Sequence, residues 1–111
     1  MDATQAISDL REISPQVRAV VVIGENWAPA GSNLSDEVEC RRLADGARRL
    51  VEAAEELRPG VAQLEAATVA GSVFVVRDGD RLIAATTTPE PTVGLVFYDL
   101  KVCLRSVDVA A

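Results

Sequence analysis

Apolar residues along this 111-residue chain follow two spacings in turn, three-to-four and two. From Ala3 to Ile13, the residues Ala3, Ala6, Ile7, Leu10 and Ile13 share one face of a helix that Pro15 stops. Val17 to Ile23 is a β-branched run, apolar on both sides, and reads as a central strand. Gly24, Glu25 and Asn26 make a turn. Trp27 to Ser32 is a short strand whose Pro29 has no amide hydrogen to give and so belongs on a sheet edge. Trp27, beside the turn, reads as a clamp over the core.

A long helix comes next. Asn33 or Ser35 can cap it, and Asp36 and Glu37 place negative charge in its first turn. Cys40, Leu43, Ala47, Leu50, Ala54 and Leu57 repeat at helical spacing, Ala44 and Val51 widen the stripe, and Arg58, Pro59 and Gly60 end it. Glu37 with Arg41, Asp45 with Arg49, and Arg48 with Glu52 are spaced for weak pairing on a solvated outer face.

Val61 to Thr68 alternates Val61, Gln63, Glu65 and Ala67 against Ala62, Leu64, Ala66 and Thr68, the pattern of a second edge strand. Val73 to Val76 and Leu82 to Thr87 are apolar or β-branched on both faces and read as central strands joined by a hairpin turn, Arg77 to Arg81. Asp78-Gly79-Asp80 lacks the later ligands of a calcium loop and is turn chemistry. Pro91 suits the first position of a last helix. Val93, Val96, Phe97, Leu100, Leu104 and Val107 make its apolar face, with Tyr98, Asp99, Lys101 and Arg105 away from it. Gly94 near its start predicts a close backbone approach.

Three strands apolar on both faces require helices on both sides, and the hairpin-length connections require antiparallel pairs. The pattern therefore predicts an α+β fold: a three-layer α/β/α sandwich on a five-stranded antiparallel sheet, as one domain over residues 1–111.

Composition changes this picture little: 49% hydrophobic and 25% charged residues are ordinary globular usage. The formal charge of −6 opposes the phosphate attraction on which nucleic-acid binding depends, and likewise anionic membranes. Of the eleven basic residues all but Lys101 are arginines, scattered along the sequence. Met1 to Ile13 has no secretory pattern and no apolar run is long enough for insertion into a membrane, so a cytoplasmic location is expected. Cys40 and Cys103, far apart in helical patterns, read as small buried hydrophobes.

Candidate chemistry is sparse. Without histidine no Ser-His-Asp or Cys-His arrangement forms, and two distant cysteines make no zinc site. Gly71-Ser72 and the Gly79 turn do not form a phosphate loop. Asp99 near Lys101, and Glu55 beside Glu56, read as solvated helix carboxylates, and Thr86 to Thr88 as an ordinary strand end. No catalytic, metal or cofactor site is expected, and binding is the activity that remains.

The order helix, two strands, long helix, three strands, helix resembles the roadblock family, the dynein light-chain and GTPase-regulator group. Two segments carry the likeness: Leu82-Ile83-Ala84-Ala85-Thr86-Thr87-Thr88-Pro89-Glu90-Pro91-Thr92-Val93-Gly94-Leu95-Val96, and Ser14-Pro15-Gln16-Val17-Arg18-Ala19-Val20-Val21-Val22. Gly24-Glu25-Asn26 departs from the family's usual Asp-Gly type of turn, and Trp27-Ala28-Pro29 from its second strand. The resemblance implies strand order 2-1-5-4-3, with the long helix on one face and the terminal helices on the other. It also implies a dimer that binds a small Ras-like GTPase and affects its nucleotide cycle. A structural adaptor in a motor or cell-envelope assembly is the alternative, and a small-ligand sensor a third.

The residues themselves predict how two copies would meet. Val61 to Thr68 is an edge strand without proline, free to pair with its symmetry mate. Gly46 in mid-helix would let two helices approach closely. The expected interface is Leu43, Gly46, Ala47, Leu50 and Ala54 with Val61, Gln63 and Glu65, in a homodimer or in a heterodimer with a paralogue.

Overall fold

The computed structural model describes residues 1–108. Its elements are α1 (Ala3–Ile13), β1 (Val17–Ile23), β2 (Pro29–Ser32), α2 (Glu37–Leu57), β3 (Gln63–Thr68), β4 (Gly71–Asp78), β5 (Arg81–Thr87) and α3 (Val93–Ser106). The strands form one sheet in the order β2-β1-β5-β4-β3, every pair antiparallel. The two strands read as edges are its edges.

Alternation along the strands builds two separate cores. Val20, Val22, Phe74, Val76, Ile83 and Ala85 face α1 and α3, where Ile7, Leu10, Val96, Leu100 and Leu104 cover them. Val21, Ile23, Val75, Leu82 and Ala84 face α2, which meets them with Ala44, Ala47 and Val51. This is the expected α/β/α sandwich, an α+β fold with the long helix alone on one face. No helix among the described residues is long and apolar enough to cross a membrane.

Several boundaries differ from the sequence pattern, each for a local reason. Trp27 lies in the β1–β2 turn, so β2 starts at Pro29. Asn26 and Trp27 both have left-handed backbones (φ 58° and 60°), and the Ala28 N–H donates to the Glu25 carbonyl at 3.2 Å. That is the geometry of a type I′ hairpin turn, with Trp27 where glycine is usual. The β4–β5 turn is only Gly79 and Asp80, because Asp78 and Arg81 already pair across the ladder.

Neither Asn33 nor Ser35 caps α2; Asp36 does, its carboxylate accepting from the Val38 N–H at 2.8 Å. Asn33 instead continues the β1–β2 ladder as a substitute peptide. Its Oδ1 accepts from the Val20 N–H at 2.7 Å, and its Nδ2 donates to the Arg18 carbonyl at 2.8 Å. Pro91 precedes the last helix, whose N-cap is Thr92. Asp99, placed by pattern on the outer side, is buried.

Two glycines are required by close approach. A Cβ at Gly31 would lie 2.5 Å from the Ala3 Cβ, so its absence lets α1 settle on β2. Gly71 has φ +141°, and a Cβ there would strike the Thr87 carbonyl. Gly94 corrects the sequence reading: a Cβ there meets nothing within 4 Å, so no approach inside the protomer needs it.

Candidate protein-interaction face

Glu55, near the end of α2, ties the helix to the strand that follows. Its carboxylate accepts the Val61 and Gly60 N–H groups at 2.8 and 2.9 Å and pairs with Arg77 at 3.3 Å. The Val61 and Gly60 hydrogen bonds, then the Arg77 charge, favour the ionised form and hold its pKa below the usual carboxylate value. These contacts deliver the chain into β3, whose Leu64 packs against the cluster under α2.

On its inner side β3 pairs with β4 from Gln63↔Val76 to Thr68↔Gly71. Its outer edge carries no strand among the described residues. The run Gln-Leu-Glu-Ala-Ala-Thr has neither the proline nor the lysine that usually guards an exposed edge.

The flank of α2 is the second part of the face. Ala44, Ala47 and Val51 point at the sheet, while Leu43, Leu50 and Ala54 form a half-buried shoulder. At 3.6 residues per turn, Gly46, Ala53 and Leu57 lie farther round on the same side, and Leu57 is 83% exposed. A Cβ on Gly46 would meet nothing within 4 Å, so the gap beside it is open. Next to Leu43 the recess continues over Ala19, Leu34 and Thr86, a shallow hollow of about 370 Å³.

The structure brings together Leu43, Gly46, Leu50 and Ala54 on this shoulder. Ala47 is a correction, because it is fully buried against the sheet and belongs to the protomer's own core. Val61 lies in the connection before β3, while Gln63 and Glu65 project from the opposite face of the sheet, across from Val76 and Phe74. Glu65 accepts a hydrogen bond from the Ser72 hydroxyl at 2.8 Å. The sequence reading missed Leu64 and Ala66, the β3 side chains on the α2 side. Strict alternation carried that signal, since residues 63 and 65 cannot share a face with 64 and 66.

The far end of the α2 face is closed by Trp27, half-buried against Val21, Ile23 and their neighbours, as a clamp should be. The two cysteines lie on opposite sides of the sheet. Cys40 packs at the margin of the α2 core and Cys103 inside the other. Burial, then the negative charge of Asp9, push the Cys103 thiol up to about 11, so it stays protonated near neutral pH and is a poor nucleophile. Among the described residues no group of three or more His, Cys, Asp or Glu side chains is placed to hold a metal ion.

No protein-family model and no curated protein matches the sequence. Solved structures do match the fold. A roadblock/LC7 domain from Streptomyces avermitilis superposes with a TM-score of 0.80 at 16% identity, covering 96% of this chain and 94% of that one. Myxococcus xanthus MglB gives 0.75 at 14% identity, over 93% of this chain and 82% of its own. A profilin, LokiProfilin2 solved with rabbit actin, gives 0.58 at 14% identity, over 91% of each chain. Layer order, strand order and this similarity agree that the chain has the roadblock/LC7 fold, a profilin-like α/β/α sandwich.

Proposed function

We propose that this chain is a non-catalytic regulatory or scaffolding module, a two-fold dimer joined through β3 and α2 that binds a small Ras-like GTPase and modulates its nucleotide cycle. The observation that carries the reading is the unguarded outer edge of β3 beside the small-residue shoulder of α2. Two copies meeting there would continue the sheet across the two-fold axis and bring the helices together at Gly46, where no side chain holds them apart. A glycine in a helix interior, as Gly46 is, costs about 1 kcal/mol relative to alanine, and close helix packing offsets such a cost.

The GTPase half of the proposal rests on the fold shared with roadblock/LC7 domains and MglB. The test has two arms. Light scattering at micromolar concentration is expected to give twice the chain mass, and Gly46→Glu to give the monomer; a monomeric parent chain overturns the dimer. Pull-downs from cell extract with GTP or GDP added are expected to recover a small GTPase, and repeated recovery of none overturns that half.

A further inference from the structure

The outer edge of β3 offers only alternate backbone groups to a neighbour. The Arg77 N–H donates to the Ala62 carbonyl at 2.9 Å, which fixes the phase of the β3–β4 ladder. Ala62, Leu64, Ala66 and Thr68 turn their N–H and C=O groups toward β4, and Gln63, Glu65 and Ala67 turn theirs outward. A second β3 running antiparallel about a two-fold axis must pair these outward positions with one another. The side chains that then stand opposite decide the register.

Glu65 separates the registers. Its Oε2 accepts the Ser72 hydroxyl, and its Oε1 has no hydrogen-bond donor among the described residues. An axis at Glu65 sets two carboxylates face to face, and like charges directly opposite are destabilising. An axis at Gln63 brings Val61 against Glu65, and an axis at Ala66 brings Ala67 against it; neither side chain carries a donor. An axis at Leu64 brings Gln63 of the other copy, whose amide can donate to the open carboxylate oxygen. Each chain carries both members of this pair, so identical copies make the match twice.

The height of α2 above the sheet agrees independently. Leu43 borders the hollow over Thr86, which lies in line with Val73 and Ala66 across the strands. Glu55 holds the Gly60 and Val61 N–H groups. The helix rises about 18 Å from Leu43 to Glu55, and the chain from Ala66 back to Val61 spans about 17 Å. Gly46, about 4.5 Å along from Leu43, therefore stands level with Leu64 and Glu65.

We propose that the partner at the β3 edge is a second copy of this chain, paired with its axis at Leu64. Resting on the dimer proposed above, this register gives that dimer its specificity. Leu64 meets its own mate on the α2 side, beneath the paired Gly46 positions, with Ala62 opposite Ala66 on either side. On the other face two reciprocal Gln63–Glu65 hydrogen bonds lock the alignment.

Oxidative cross-linking in a Cys40→Ser background reads the register directly. Leu64→Cys should link two chains, since residues opposite each other at a non-hydrogen-bonded site stand about 4.5 Å apart at Cα, within disulfide reach. Ala66→Cys should not link, because its mate would lie more than about 13 Å away. Sedimentation equilibrium of the exposed variants, with both native cysteines kept, is the second readout. Gln63→Glu should weaken the dimer about tenfold, Glu65→Gln alone should not tighten it, and the two together should restore the parent value. The register alone is overturned by a dimer that Gly46→Glu breaks while a folded Leu64→Cys fails to link. It is also overturned by a dimer that Glu65→Gln tightens, or by a swap that restores nothing. A monomeric parent chain, or a dimer that neither cysteine links and Gly46→Glu leaves whole, overturns the dimer through β3 and the register with it.

Discussion

Arg48 on α2 stacks over Trp27 in the β1–β2 turn, its guanidinium carbon 5.7 Å from the ring centroid. The ring thus has a cation on one side and the core margin on the other. This packing is set against the cost of holding a bulky residue in a left-handed backbone, about 1–2 kcal/mol.

The balance gives an unusual order of stabilities. Trp27→Ala loses the ring but keeps the strain, and should cost about 2 kcal/mol, part of the range for burying a whole tryptophan. Trp27→Gly loses the same ring and relieves the strain. Chemical denaturation should find the glycine variant more stable than the alanine variant, the reverse of the order in regular structure; equal stabilities would show that the left-handed backbone carries no strain.

Gly31 and Gly94 should respond to alanine with opposite signs. At Gly31 the new Cβ would lie 2.5 Å from the Ala3 Cβ, so α1 must shift on β2, a loss of about 1–3 kcal/mol. At Gly94 the space is open and the backbone helical, so alanine should stabilise by up to about 1 kcal/mol. Paired thermal melts decide both.

Glu55 should give the fold an acid-sensitive component. Its folded pKa lies below its unfolded value, so the stabilisation is present in full above the unfolded value, near 4.5, and is lost as pH falls through the folded one. Glu55→Gln should be less stable than the parent at pH 7, and the gap should close in strong acid. Urea titrations at both pH values measure it; a gap independent of pH would place the stabilisation in packing rather than charge.

Cys103 should resist alkylation while the protein is folded, since a thiol pKa near 11 leaves little thiolate at neutral pH. In a Cys40→Ser variant, iodoacetamide should label Cys103 only through the open state, at the free-thiol rate multiplied by the fraction of chains that are open. Fast labelling without loss of structure would contradict its burial.

Most of the architecture was legible because the strong patterns were long. Val17–Ile23 is apolar on both faces, and only a strand covered on both sides needs that. The α2 stripe was equally plain, but its width hid a division. Ala47 and Leu50 belong to one apolar stripe, yet they stand about 60° apart round the helix, and the first is buried against the sheet while the second lies on the shoulder. Asn33 was misread for a related reason. A residue with helix-cap chemistry also mimics a peptide group, and the strand beside it, invisible in local sequence, decided which role it took. Asp99 likewise has an outward position by periodicity and becomes buried once α1 lies alongside α3.

The two cores also differ in how firmly they grip their helices. Phe74, Ile7, Leu10, Leu100 and Leu104 interlock on one side, whereas the fully buried part of α2 is two alanines and a valine, with Cys40 and Leu43 only partly buried beside them. Short side chains make few dispersion contacts, so α2 is expected to be the layer with the lowest free energy of local opening. Amide hydrogens of α2 should exchange with solvent sooner than those of α1 or α3. Anything that clasps the closed helix would then slow that exchange in proportion to its occupancy, so binding could be followed from within the helix itself.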